Sequence, residues 1–330
     1  MSAGIDFADC LRRDQNLSYP DWEKVAARIA AETSQGEFDS RKAWATATNQ
    51  WLETLSAELG PHYQVIHRGH FSILTSATDH VAAEIHASSE HILRQILHHL
   101  QGAVMDQSHG RHVALIFDQD ADYYRYIARF FPDGELPMSG GLCLKDTVVH
   151  YAFSSFEKQS DRSVLAHELT HACLSHLPLP AWLDEALAMR METTVTGDQI
   201  FYLDRERYEA HLRYWNADRI QAFWSGDSWT LPGEPFELSY SLAEILWRKI
   251  EVDLQASHPQ VIDFIRHAHR HDAGASAFEQ TFGLSLDELV EDFLGEGSWT
   301  PQGTKSGLTD HPQERSEHAH RSRHRIRCMG

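Results

Sequence analysis

Apolar and polar positions recur with a helical period through residues 1–60. Tyr19-Pro20-Asp21 opens one helix running to about Thr33, and Asp39 opens another through Leu59 that stops at Gly60-Pro61. The period then drops to two. Tyr63–His67 and His70–Leu74 alternate around Gly69 and predict a hairpin. Val81–Leu100 returns to helical spacing, Val113–Phe117 is a short apolar strand, Asp120–Phe130 a helix with several Tyr, and Pro132-Asp133-Gly134 a turn. Ser139–Leu144 reads as a turn and a strand, and Val148–Phe153 as another strand. From Val164 to Cys173 most positions are uncharged, which suits a buried helix with one polar face. Leu177-Pro178-Leu179-Pro180 stops that helix, because proline removes a backbone donor and clashes with the preceding turn. A second helix follows over Ala181–Ala188.

Residues 193–236 lose the period and gather Tyr214, Trp215, Phe223, Trp224 and Trp229 among Gly226, Pro232, Gly233 and Pro235. Such a stretch predicts either packed loops or the lining of a substrate cleft. Ser239–Trp247 and Val261–His271 are helical again, and Ser285 with Glu288 three residues on makes a capping box. Beyond Gly295 the chain turns rich in Gly, Pro, Ser, His and Arg, so 296–330 is expected to be a disordered tail.

Composition narrows the function classes. With 330 residues and 42% hydrophobic content the chain can build one large or two modest cores. A net charge of −19 argues against nucleic acid or an anionic membrane as partner. No apolar run approaches the length of a membrane span, and Met1–Arg13 lacks the apolar centre of a signal peptide. Cys10, Cys143, Cys173 and Cys328 are far apart and form no C-x-x-C pair, so neither a disulfide framework nor a cysteine zinc site is indicated. A cytoplasmic protein is expected.

Candidate chemistry lies in Val164–His176, where His167, Glu168 and His171 form H-E-x-x-H. Residues four apart on a helix differ by about 40° in azimuth and about 6 Å in rise. Two imidazoles one turn apart can therefore meet one tetrahedral metal ion. Glu168, about 100° round from His167, can reach a metal-bound water but is badly aimed as a ligand. With 23 His in the chain, the motif alone would arise by chance in roughly one such sequence in eight, so its context matters. The proline turn returns the second helix beside the first, where Glu185 is well placed to face the histidines and Asp184 competes with it. A metzincin third ligand would need Gly at 174 and His at 177, and both positions are Leu. His176 is out of register and fits a helix-end role. The histidines at 86, 91, 98 and 99 wrap round their helix, those at 267, 269 and 271 read as a helix end, and His318, His320 and His324 could pick up metal only weakly.

H-E-L-T-H followed by P-A-W-L-D-E-A-L-A resembles the gluzincin metallopeptidases, especially the peptidase-MA-like families. The match covers about Tyr63 to Leu294, including the F-x-x-x-F/G-x-S-L-x-E-L close around Phe278–Leu289. It implies an α+β, zincin-like fold over 61–295: a small mixed sheet packed on the metal-binding helix in a mainly β/α half (61–160), then a helical half (161–295), with 1–60 as a helical extension. It implies Zn2+ held by His167, His171 and Glu185, with Glu168 as general base. It implies Tyr240, at the start of its helix, as a donor to the oxyanion, and Val148–Phe153 as an edge strand that pairs with an extended peptide or protein substrate. Ala186 stands where the families usually carry Gly, and Met189 where thermolysin-type enzymes carry an Asp that supports a ligand. Glu192 or Asp184 are the available substitutes. The expected activity is zinc-dependent peptide-bond hydrolysis; a zinc-stabilised scaffold without turnover and a hydrolase of a non-peptide amide or ester are the alternatives.

Overall fold

The computed structural model describes residues 6–33, 39–106, 110–131, 141–144, 146–154, 159–197 and 202–302. Over these the protein is a mixed α+β chain with a two-stranded and a five-stranded sheet. It divides into two compact units, 1–92 with 108–165 and 93–107 with 166–330.

The first unit opens on a hairpin, β1 (Leu11–Asp14) and β2 (Leu17–Pro20), turning at Gln15 and Asn16 with positive φ. Two helices follow, α1 (Trp22–Thr33) and α2 (Ser40–Leu59), the latter capped by the Asp39 carboxylate on the Lys42 N–H. Both helices lie where the sequence places them; the hairpin replaces part of the expected all-helical segment. Nor is 1–60 an appendage. Trp51, Leu52 and Leu55 of α2 share one core with Leu74, Val113, Leu115, Phe117, Tyr123, Tyr126 and Leu142, and the buried Trp51 indole donates to Ser18 O.

The five-stranded sheet runs β3 (Gln64–Arg68), β4 (Phe71–Thr75), β5 (His112–Ile116), β7 (His150–Phe153), β6 (Gly141–Leu144). The pairs β3–β4 and β6–β7 are antiparallel, and β4–β5 and β5–β7 are parallel. The parallel joins need crossovers, which α3 (Asp79–His99) supplies between β4 and β5, while α4 (Asp120–Ile127) follows β5. The hairpin turn between β3 and β4 holds at Gly69 (φ +54), where a Cβ would fall 2.2 Å from Glu90 Oε1. Glu90 instead accepts the His70 N–H at 2.7 Å. The strand over Val148–Phe153 is not an edge: β7 is flanked by β5 on one side and β6 on the other, so both rows of its backbone groups are already paired. The edge on that side is β6. A short apolar strand looks the same in sequence at an edge or in a sheet interior.

The second unit is helical. It contains the latter part of α5 (Gln159–Leu174), then α6 (Ala181–Thr196), α7 (Arg205–Tyr214), α8 (Arg219–Ser225), α9 (Glu234–Arg248), α10 (His258–His267), α11 (Ala275–Phe282) and α12 (Leu286–Leu294). The α9 helix lies along α6 and runs on into a π-helical turn, Lys249–Asp253, tied to α6 by Arg190 Nε–Glu251 Oε1 at 2.9 Å. Most of the aromatics singled out in 193–236 are core: Trp215, Phe223, Trp224 and Trp229 are buried, with Phe223 stacked on Trp229, while Tyr214 is half-buried and Tyr202 and Tyr208 are exposed. The helix before His271 ends at His267, and His269 and His271 sit in the short turn beyond it.

The chain stays folded past Gly295. Trp299 is buried, its N–H donates to Asp287 Oδ1, and its carbonyl accepts the Trp224 indole at 2.7 Å. Residues 296–302 therefore belong to this unit, and the rest of the expected tail, 303–330, lies outside the described residues. Among the described residues no helix is long and apolar enough to cross a membrane.

Candidate metal centre

From Ser163 to Leu174 helix α5 is buried almost all round, with Leu165, Ala166, Leu169, Thr170, Cys173 and Leu174 enclosed. A helix of that kind must be enclosed, so polar groups on it need partners built by the fold. His167, Glu168 and His171 are buried on it, at 2%, 1% and 6% exposure. Burial pushes the Cys173 thiol up to about 12, so it remains a neutral packing group.

The connection to α6 is fixed at several points. Leu177 N–H closes onto Leu174 O, and Pro180 caps α6 in extended conformation while its carbonyl accepts the Leu183 and Asp184 N–H groups. Arg270 N–H binds Pro178 O at 2.8 Å, so the proline turn is held from outside as well. Trp182 is fully buried against Trp224 and Phe264, and its indole donates to Ala273 O at 2.9 Å. Glu185 lies one turn beyond this anchor. Gly197 ends α6 in left-handed conformation.

The result is a convergence of three side chains. His167 Nε2 and His171 Nε2 are 2.9 Å apart, with ring planes at 79°. Glu185 Oε2 lies 3.4 Å from His167 Nε2, and Oε1 lies 3.8 Å from His171 Nε2. Among the described residues this is the group of His, Cys, Asp and Glu whose ligand atoms all fall within 4.8 Å of one another.

The other ring nitrogens settle the competition between Asp184 and Glu185. His171 Nδ1 lies 2.9 Å from Asp184 Oδ2, and His167 Nδ1 lies 2.6 Å from Glu192 Oε1. Asp184 and Glu185, adjacent on α6, thus serve the two nitrogens of one imidazole from two sides. Glu192 lies two turns beyond Glu185 and is 5% exposed. A carboxylate only accepts, so His167 Nδ1 beside Glu192 is the N–H donor and its Nε2 carries the lone pair, while Asp184 stands within ion-pair reach of His171 Nδ1 without completing a hydrogen bond to it. Two Nε2 atoms and a carboxylate then meet at one spot, an arrangement that a cation suits.

Two imidazoles and a carboxylate are a donor set of the kind zinc takes. With Zn–N near 2.1 Å, tetrahedral ligand atoms stand roughly 3.3 Å apart. The 3.4 Å from His167 to Glu185 Oε2 matches, the two Nε2 atoms stand about 0.4 Å too close, and the 3.8 Å from His171 to Glu185 runs to the other carboxylate oxygen, Oε1. Carboxylates behind both histidines supply the support that zinc ligands usually have.

The remaining candidates fall as follows. Glu168 is buried, next in the chain to His167. Tyr240 is half-buried in the second turn of α9, not at its start, with its ring against Phe236 at 4.8 Å and Trp229 at 6.2 Å. Pro235 at the first helical turn was the signal for the earlier start. His176 is exposed beyond the end of α5.

Sequence reasoning missed Glu244, whose carboxyl burial and the nearby Glu192 push up to about 7 while Arg248 opposes them. It also missed His211, which is buried with its Nδ1 accepting the Trp215 indole and its Nε2 2.9 Å from Ser241 Oγ. No family model, no curated protein and no solved structure matches the chain.

Proposed function

We propose that the protein is a zinc-dependent peptidase of gluzincin type, with His167, His171 and Glu185 as ligands and Glu168 as general base. The observation that carries this reading is the convergence of the two Nε2 atoms and Glu185 with carboxylates behind both imidazoles. A bound zinc ion supplies Lewis-acid polarisation and lowers the pKa of a water toward neutrality. Glu192 holds His167 in the tautomer that offers Nε2, and Asp184 supplies negative charge beside His171. Glu168 takes the proton of the attacking water and passes it to the leaving amine. Tyr240 donates its phenolic hydrogen to the oxygen that gains charge at the scissile carbonyl. The finer zincin character of the fold belongs to this reading, as do a peptide or protein substrate and a cytoplasmic setting.

The deciding experiment is metal analysis of the chain ending at Gln302, which lacks the tail histidines. One zinc per chain is expected, lost in His171→Ala, with hydrolysis of an unstructured protein substrate lost alongside. Zinc that stays stoichiometric in His171→Ala sinks the assignment.

A further inference from the structure

The five-stranded sheet ends on β3, and among the described residues Gln64–Arg68 has a strand partner, β4, on one side alone. The two-residue turn at Gly69-His70 makes Arg68 and Phe71 a hydrogen-bonded pair, and such pairs alternate along an antiparallel ladder. The N–H and C=O groups of Val65 and His67 therefore point away from β4. Edge strands are ordinarily blunted by lysine, proline or a bulge. None of these occurs in β3, whose register runs unbroken through five residues with half-buried Val65 and Ile66 near its middle. We propose that β3 pairs antiparallel with the β3 of a second copy of this chain, centred on Ile66, so that one sheet continues across a twofold axis.

Charge selects both the occupant and the direction, because the two ends of β3 differ in sign. At one end Gln64 Nε2 lies 3.4 Å from Asp79 Oδ1, an exposed carboxylate in the first turn of α3. At the other end Arg68 is exposed, and Arg111 Nε donates to Gly69 O at 3.1 Å. A net charge of −19 opposes self-contact over most of the surface, so a local meeting of unlike charges is what this edge offers. Antiparallel pairing about Ile66 sets Val65 opposite His67 of the second copy, and these two exchange both backbone bonds, once on each side of the axis. The two Ile66 side chains meet on the axis as a non-hydrogen-bonded pair, the kind in which side chains approach most closely. Gln64 falls opposite Arg68 of the second copy, with Cβ atoms about 5 Å apart, so that guanidinium reaches Asp79. Twofold symmetry makes this ion pair occur twice. Parallel pairing would instead set Arg68 against Arg68 and Asp79 against Asp79, which is repulsive.

The test is sedimentation equilibrium of the full chain over the micromolar range, in reductant so that Cys328 cannot link two copies. Wild type should form a dimer whose share rises with concentration. Arg68→Asp turns two attractive pairs into repulsive ones and should weaken the dimer roughly tenfold or more. Adding Asp79→Arg to that variant should restore it. Both positions are exposed, so the reversals leave the hairpin folded, and they carry the test should Ile66→Lys fail to fold. Ile66→Lys sets two like charges against each other on the axis and should leave a monomer. A wild-type chain that is monomeric at every concentration overturns the proposal. So does a dimer that survives Arg68→Asp or a folded Ile66→Lys unweakened, since its interface then lies elsewhere. A double reversal no tighter than Arg68→Asp alone overturns it as well, because the two residues then do not meet.

Discussion

His150 in the first unit and His167 in the second are equally buried, and each has both ring nitrogens engaged, yet they are prepared for opposite ends. His150 Nδ1 lies 3.0 Å from Val148 O and so carries the hydrogen, while Nε2 accepts the Tyr126 hydroxyl at 2.7 Å. Trp51, Tyr126 and Phe130 surround it edge-on or tilted. Every donor and acceptor is used by a neutral partner, and burial drives its pKa down to about 3. Such a residue is closed: it has no lone pair left to offer. His167 and His171 have carboxylates at Nδ1, and their Nε2 atoms face one another and Glu185. The difference lies in partners, not burial. Neutral partners on both nitrogens make a core residue; a carboxylate on one side leaves a ligand on the other.

That contrast can be broken most severely at the base. Glu168→Gln keeps the volume of a side chain 1% exposed and removes its basicity. Hydrolysis is expected to fall by about 10²- to 10⁴-fold while zinc content is unchanged. Near wild-type turnover would remove Glu168 from the mechanism. Tyr240→Phe is the next largest: kcat should fall by roughly 10- to 1000-fold, with KM and zinc content little altered, as expected for the loss of one preorganised donor. An unchanged kcat would make Tyr240 a packing partner of Phe236 and Trp229 and nothing more.

The tautomer argument is sharpened by Glu192→Gln and Asp184→Asn. An amide can donate as well as accept, so it no longer obliges Nδ1 to be the donor. Each change is expected to weaken zinc binding by about 10- to 100-fold, measured by chelator competition at fixed pH. Unaltered affinity in both would show that the carboxylates do not set the state of the ligands, and the contrast with His150 would lose its cause.

Much of this was legible in the chain because it is local. The boundaries of α2 were marked by Asp39 and Gly60, the start of α6 by Pro180, and the start of α12 by the Ser285–Glu288 box, whereas α6 runs on past the expected Ala188 to Thr196. The spacing of His167 and His171 fixed their convergence, since four residues on a helix allow little else. Features that depend on chain pairing were not legible. The neighbours of β7 come from tertiary register, which a four-residue apolar strand does not encode. The β1–β2 hairpin is missed because β1 is largely exposed and carries Arg12, Arg13 and Asp14, leaving no alternating pattern. Glu192 and Asp184 were both compatible with supporting a ligand, and only the packing of α6 against α5 assigns one to each histidine. The aromatics of 193–236 are ambiguous for a general reason: Trp and Phe in loops look alike whether they line a cleft or fill a core.

The smallest effect tests the closed member of the comparison. Tyr126→Phe removes the hydroxyl that satisfies His150 Nε2 and leaves a buried acceptor without that donor, at a cost of about 1–3 kcal/mol. Zinc content should not move, because a freed Nε2 in that core has no second ligand to meet. The wild-type protein supplies a pH control. His150 titrates near 3 when folded and near its ordinary value, about 6.5, when unfolded. The unfolded chain therefore binds more protons between those limits. The stability that a neutral His150 contributes is complete above about pH 6.5 and is lost progressively as pH falls toward 3. In urea unfolding followed by Trp fluorescence, His150→Leu should flatten the acid-side decline between about pH 6.5 and 4 relative to wild type, while lowering stability at pH 7 through the stranded Tyr126 hydroxyl. An acid-side slope identical in the two proteins would mean that His150 is protonated in the folded state. The closed histidine would then be an open one, and burial with neutral partners would not suffice to silence it.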